Sequence, residues 1–140
     1  GPGHPDEYES IFPFISRWLE MQKPFGGVCL GHQIFWRIQG VSISPSKKPV
    51  HGQSIPLYLD RFWKEKIGIE KNVCVQRYNS LCVQSTHHLK KLSSLKLKNF
   101  IQDEEVIMTL GPKILTYQFH PESIGTSCPE AFFHLFHSII

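Results

Sequence analysis

The chain is expected to fold as one α/β domain with an open sheet flanked by helices. Three observations predict this. Apolar residues recur at helical spacing in the first twenty positions and again after residue 30. Short β-branched and apolar runs then follow one another, separated by Asn, Ser, Gly and Pro. A last stretch, from Pro129, returns to helical period. The order helix, strand, helix, many strands, helix is that of a layered α/β domain.

Each element has its own signal. From Glu7 to Gln22, Ile11, Phe14, Ile15, Trp18 and Leu19 line one stripe of a helix, with Pro13 near its first turn. Pro24 and two glycines break that helix, and a short strand then ends at Cys29. "GHQIFWRIQG" is helical and stops at Gly40. "VSIS" and "IPLYL" are strand candidates on either side of the loop "PSKKPVHGQS". "DRFWKEKIG" fits a short helix or an irregular loop. "NVCVQRY" and "SLCVQS" are two strand pieces broken at Asn79-Ser80. "SLKLKNFI", "EEVIMTL" and "KILTYQF" are three more strands, and "PEAFFHLFHSII" is a helix with Pro129 and Glu130 at its start.

Composition excludes several classes. The 140 residues are 41% hydrophobic and 19% charged, which suits a soluble globular domain. A formal charge of +3 is too small and too dispersed for nucleic acid or a membrane surface. The basic stretch from His87 to Lys98 reads as a solvated loop and strand edge. No apolar run reaches the roughly 18 residues of a membrane span. Cys29, Cys74, Cys82 and Cys128 have no CxxC spacing, so a reducing, cytoplasmic setting is expected rather than a disulfide framework or zinc site. The chain begins at Gly1 without a methionine, and the expectation is a processed or expressed fragment or absent upstream residues, with "GP" alternatively a scar of tag removal.

The chemistry centres on "GVCLGHQ", residues 27 to 33. Cys29 is either a small core residue closing a strand or a nucleophile on a strand-to-helix turn. Gly27-Val28-Cys29-Leu30-Gly31 is the cysteine form of the G-x-S-x-G nucleophile elbow. In that turn strand and helix come too close for Cβ atoms at the glycines, and the Leu30 N–H points where an oxyanion would develop. A thiol needs a base. His120, in "YQFHPES", ends an apolar strand that Pro121 stops, and Glu122 is near enough to orient its ring.

Taken together, "GVCLGHQ" and "QFHPES" resemble the class I (triad) glutamine amidotransferases. "PVHGQS" resembles the "MHGK" loop of the anthranilate synthase and aminodeoxychorismate synthase glutaminases. "QRYNSLCV" resembles their "RYHSL" segment, and "GPGHP" their "SPGPGxP" loop. The resemblance spans the chain and implies an open, mostly parallel, flavodoxin-like sheet. It implies one amidotransferase domain over 1–140, lacking about one strand-helix-strand unit at its N-terminus. It further implies Cys29 as nucleophile, His120 as base then acid, and Glu122 as its orienter. Leu30 and the Gly1-Pro2-Gly3 turn would supply the oxyanion donors. Gln33, Ser80 and Leu81 would hold the substrate glutamine. Two positions depart from the pattern: Asn79 stands for the histidine of "RYHSL", and Gln53 for the lysine of "HGK". Both are expected near the partner interface or the substrate rim.

The expected function is therefore a glutaminase subunit that supplies ammonia to a chorismate-utilising synthase, for anthranilate (tryptophan) or 4-amino-4-deoxychorismate (folate) formation. It would need no metal or organic cofactor. Rival expectations are a non-catalytic remnant or synthase-binding module, and another class I amidotransferase or γ-glutamyl hydrolase. Elsewhere, His32 is read as partly exposed or as supporting the site, and His51 as a turn or partner residue. His87-His88 lack further ligands, and His134 and His137 mark a solvated helix face. Cys74 and Cys82 are expected to be buried strand residues. Trp18, Trp36 and Trp63 are read as packing, with Trp63 alternatively facing a partner.

Overall fold

A computed structural model describes residues 3–86 and 95–140. In chain order a 3-10 segment (Pro5–Ile11) leads into α1 (Phe12–Glu20), β1 (Phe25–Val28), α2 (Leu30–Ile38), β2 (Ile43–Pro45) and β3 (Gln53–Leu57). Next come α3 (Arg61–Ile67), β4 (Val73–Arg77), β5 (Leu81–Val83), β6 (Lys98–Gln102), β7 (Glu105–Leu110) and β8 (Ile114–Tyr117). The chain closes with α4 (Pro129–Leu135) and a 3-10 turn (Phe136–Ile139).

The main sheet has the order β1-β8-β7-β6, and β2-β5 and β3-β4 form two antiparallel ribbons beside it. The α/β class with an open sheet and flanking helices is as expected. The balance of directions is not: β1-β8 is parallel, whereas β8-β7 and β7-β6 are antiparallel. Chain connectivity explains this. Asp103 and Glu104, both at positive φ, turn β6 directly into β7, and Gly111-Pro112-Lys113 joins β7 to β8. Such short connections can link only antiparallel neighbours, so the parallel pairing falls to the one pair reached by a long crossover.

Successive side chains of β8 point to opposite faces, and different helices cover them. Phe35 and Trp36 of α2 pack with Ile114, Val106, Val41 and Val83 on one face. Trp63 and Ile67 of α3, with Phe132 and Leu135 of α4, pack with Leu115, Tyr117, Ile107 and Met108 on the other. A bulge distributes β7 between the two layers. Phe100 lies opposite Met108 and Ile101 opposite Val106, which leaves Ile107 as an extra residue. Ile107 and Met108 therefore enter the same core while Val106 enters the other. The Tyr117 hydroxyl donates to the Phe132 carbonyl at 2.9 Å, and its ring stacks on Phe119.

The ambiguous "DRFWKEKIG" is helical. Asp60 caps its N-terminus by accepting from the Trp63 N–H, and Gly68 closes it at φ 79°. Three expectations need correcting. The first helix is not continuous from Glu7 to Gln22: non-helical Tyr8 interrupts the first turns, and α1 starts afresh with Pro13 in its first turn. Its apolar stripe has no buried residue, with Phe14 70% exposed and Trp18 only partly covered. Cys74 is exposed, because alternation along β4 turns Val73 and Val75 inward and Cys74 outward. Cys82, Trp36 and Trp63 are buried as expected, which removes Trp63 from any partner surface. His87, His88, Lys90 and Lys91 lie outside the described residues.

Candidate active site

Cys29 alone converts β1 into α2. Its N–H donates to the Tyr117 carbonyl at 2.7 Å, prolonging the parallel ladder, while its carbonyl accepts from the Gln33 N–H at 3.1 Å, opening the helix. The residue serves both ladders only at φ 51°, ψ −102°, a conformation that side-chain-bearing residues rarely adopt. A Cβ on Gly27 would lie 2.8 Å from the Gly31 backbone, so strand and helix can meet only if residue 27 is glycine. The same need does not apply to Gly31, where a Cβ would meet nothing within 4 Å.

A cavity of about 150 Å³ opens over this turn, lined by Gly3, Cys29, Gln33, Tyr78, Asn79, Ser80 and Leu81. Five of the site residues expected from the sequence thus line one cavity, Gly3, Cys29, Gln33, Ser80 and Leu81, together with Asn79. Leu30 follows at the buried start of α2. Gly1 and Pro2 lie outside the described residues. Larger clefts, of about 350 and 560 Å³, border α3 and are lined by lysines and Arg61 rather than by a thiol.

His120 lies three residues beyond β8. Its Nδ1 is 2.6 Å from Glu122 Oε1. A carboxylate accepts, so Nδ1 carries the proton and Nε2 is left as the basic atom. The Tyr78 ring meets the His120 ring edge-on at 5.2 Å and also lines the Cys29 cavity, so it lies between that cavity and His120. The loop bearing His120 is stitched to the β3-β4 ribbon. The His120 N–H donates to the Gln76 carbonyl, and the Thr126 hydroxyl both accepts from the Gln76 N–H and donates to the His120 carbonyl. The Gln76 side chain spans Gly52 and Gly125, and Ser54 reaches the Gly125 carbonyl.

Burial raises the Cys29 thiol pKa above its ordinary value and nearby Glu122 adds to the rise, while the Leu30 N–H and Arg77 oppose it. Below the thiol, Gln118 is fully buried, with Nε2 3.7 Å from Sγ. Both amide protons of Gln33 are used internally, on the Leu81 carbonyl at 3.0 Å and Gln118 Oε1 at 3.1 Å. Only its Oε1 remains for the cavity, a narrower role than the substrate contact expected of it.

His32 is not partly exposed; it is a fully buried residue of α2. Its Nε2 faces the Val106 carbonyl at 3.0 Å, which can only accept, so Nε2 is the donor and Nδ1 accepts from the Thr116 hydroxyl at 2.8 Å. Burial lowers its pKa to about 3, with Arg77 adding to the effect, so the ring is neutral. Asn79 lines the Cys29 cavity while its side chain is buried. It is 4% exposed, accepting from Arg77 Nε at 3.0 Å and donating to the Leu81 carbonyl at 2.9 Å. Arg77 pairs with buried Glu105, which also accepts from Ser46, and the buried Cys82 thiol beside it is pushed up to about 12, chiefly by desolvation. Gln53 and His51 are exposed, by contrast.

Sequence reasoning missed Gln118, Tyr78, Arg77 and Glu105. For Gln118 a signal existed: a lone amide between Tyr117 and Phe119 must leave their apolar face, and β1 with Cys29 is the neighbour on that edge. Among the described residues no group of three or more His, Cys, Asp or Glu side chains could hold a metal ion. No helix there is long and apolar enough to cross a membrane.

The chain matches the family model of "Glutamine amidotransferase class-I" over residues 1–139. It is 36% identical over 132 residues to anthranilate synthase component 2 of Cyanidium caldarium, covering 90% of this chain and 66% of that protein. The counterpart from Saccharolobus solfataricus is 32% identical over 133 residues, with 91% and 66% covered. The chain thus spans slightly less than two thirds of these relatives. Among solved structures, a protein from Thermoplasma acidophilum described as a GMP synthase subunit superposes with a TM-score of 0.73 at 19% identity, over 96% of this chain and 66% of that one. A glutamine amidotransferase from Thermotoga maritima gives 0.62 at 18% identity, over 87% and 53%. At these identities the two structures speak for the fold alone. With its cysteine elbow and its match over nearly every residue, the chain belongs to the class I glutamine amidotransferase family.

Proposed function

We propose that the chain is the glutamine-hydrolysing part of a subunit that feeds ammonia to a chorismate-utilising synthase, in anthranilate or 4-amino-4-deoxychorismate formation. The observation that carries this reading is Cys29 at φ 51°, opening onto a cavity walled by Gln33 and Asn79–Leu81. The Cys29 sulfur attacks the side-chain amide carbon of glutamine while His120 Nε2 takes the thiol proton. The Leu30 N–H, with the turn at Gly3 that also lines the cavity, stabilises the oxyanion. Collapse breaks the C–N bond, the proton passes from His120 to the leaving nitrogen, and ammonia departs. Water then attacks the γ-glutamyl thioester, His120 again takes a proton, and glutamate is released with the thiol restored. Glu122 holds the imidazole and balances its charge in both halves. The anthranilate synthase component 2 relatives support a synthase partner, and the exposed Gln53 and His51 mark the loop that would meet it.

The test is labelling with the glutamine analogue 6-diazo-5-oxonorleucine, read by peptide mass, with Cys29→Ser as control. Labelling confined to Cys29 and blocked by glutamine is expected. Absence of labelling, both alone and with a chorismate-using synthase present, would overturn the reading in favour of a non-catalytic chain.

A further inference from the structure

Gln118 sits directly after β8, fully buried, with its N–H donating to the Ile107 carbonyl at 2.9 Å. Its amide has only one orientation. The Leu81 carbonyl can only accept, so the Gln33 atom 3.0 Å from it is the NH₂ group. That same NH₂ lies 3.1 Å from Gln118, which must therefore present oxygen there. The nitrogen of Gln118 is then the atom turned toward Cys29 Sγ, at 3.7 Å. The sulfur is thus offered a fixed N–H donor from beneath, on the side away from the cavity.

We propose that Gln118 stabilises the Cys29 thiolate as the thiol proton leaves, through an N–H···S hydrogen bond whose direction is locked by Gln33 and the Leu81 carbonyl. It is a positioning residue, and its role rests on Cys29 being the nucleophile of the reaction above. Burial disfavours a thiolate, and a donor aimed at the charged sulfur counters that preference. Among the described residues, the charged and polar groups that act on the thiol besides Gln118 are the Leu30 N–H from α2, Arg77 from β4, and Glu122 from the loop beyond β8. None of them depends on the Gln118 amide, so replacing it leaves them in place while removing the contact to sulfur together with the acceptor for Gln33. The lock also ends on the strand that walls the cavity. Displacing Leu81 would free Gln33, let the Gln118 amide turn, and withdraw the donor from the sulfur.

The experiment measures the rate of Cys29 alkylation by iodoacetamide from pH 5 to 10, by peptide mass, in the parent chain, Gln118→Leu and Gln33→Met. The exposed Cys74 and Cys128 serve as internal references. Gln118→Leu is expected to slow Cys29 alkylation at neutral pH about tenfold and to raise its midpoint by about one pH unit. Gln33→Met should shift it the same way by less, with both reference cysteines unchanged. An unmoved midpoint in a Gln118→Leu chain that melts like the parent overturns the proposal. If that variant fails to fold, an unmoved midpoint in Gln33→Met does so. The glutaminase reading fails separately: a shifted midpoint in a chain that glutamine analogues never label would leave the amide–sulfur contact standing and remove its catalytic purpose.

Discussion

Arg77 and Glu105 form a buried ion pair, with Nη2 2.5 Å from Oε2 and side chains 4% and 5% exposed. The pair anchors the cavity wall, because Arg77 also holds Asn79, and Asn79 holds the Leu81 carbonyl. Removing one partner strands a charge out of reach of water. Glu105→Gln and Arg77→Met should each lower stability by about 3–5 kcal/mol in urea unfolding. The double variant should lose less than the sum of the two. Strict additivity would show that the two groups do not share one interaction.

Gly27 and Gly31 should respond in opposite ways. Gly27→Ala forces a Cβ into the Gly31 backbone, and a loss of roughly 1–3 kcal/mol is expected, with weakened labelling of Cys29. Gly31→Ala places its methyl in open space on a helix and should be neutral or up to about 1 kcal/mol stabilising. Thermal melts of the two variants decide it.

Cys29 carries backbone strain at φ 51°. Cys29→Gly should abolish glutamine-analogue labelling yet raise stability by about 1 kcal/mol, because glycine accepts φ 51° without penalty. A variant less stable than the parent would show that packing of the thiol outweighs the strain.

His32 makes stability depend on pH. Its pKa is about 3 in the folded chain and ordinarily 6.5, so the unfolded state binds more protons between those values. Stability contributed by the neutral ring is complete above pH 6.5 and is lost as the pH falls toward 3. Roughly 2–3 kcal/mol should be gone by pH 4.5. His32→Gln keeps a donor for Val106 and an acceptor for Thr116 but cannot titrate. The difference between the two urea-stability curves should therefore grow on acidification, and parallel curves would refute it.

What can be read from the sequence is local chemistry. The elbow needs only Gly27 and Cys29 two residues apart, His120 and Glu122 have the same separation, and the break at Asn79-Ser80 separates β4 from β5 as expected. Alternation and helical period also suffice for most elements. What escapes is long range. Arg77 finds Glu105, and Gln33 finds Gln118, only after folding, and nothing beside either residue announces its partner. The balance of strand directions departs from expectation for the opposite reason. The turn at Asp103-Glu104 is in plain view, and a two-residue connection allows only antiparallel neighbours, whatever sheet the resemblance implies.

The stitching of the His120 loop to the β3-β4 ribbon has a mechanical consequence. Through Gln76, Thr126 and Gly125, His120 is fastened to the strand that runs into the cavity wall at Asn79–Leu81. Cys29 is fastened to the main sheet, through the Tyr117 carbonyl. On the function proposed above, the site is a two-part clamp, with the Cys29 sulfur on one jaw and both His120 and the Asn79–Leu81 wall on the other. A tilt of the ribbon cannot loosen the grip on glutamine while leaving acid–base transfer aligned. Any partner that presses on the loop at Gly52 and Gln53 would set both with a single displacement.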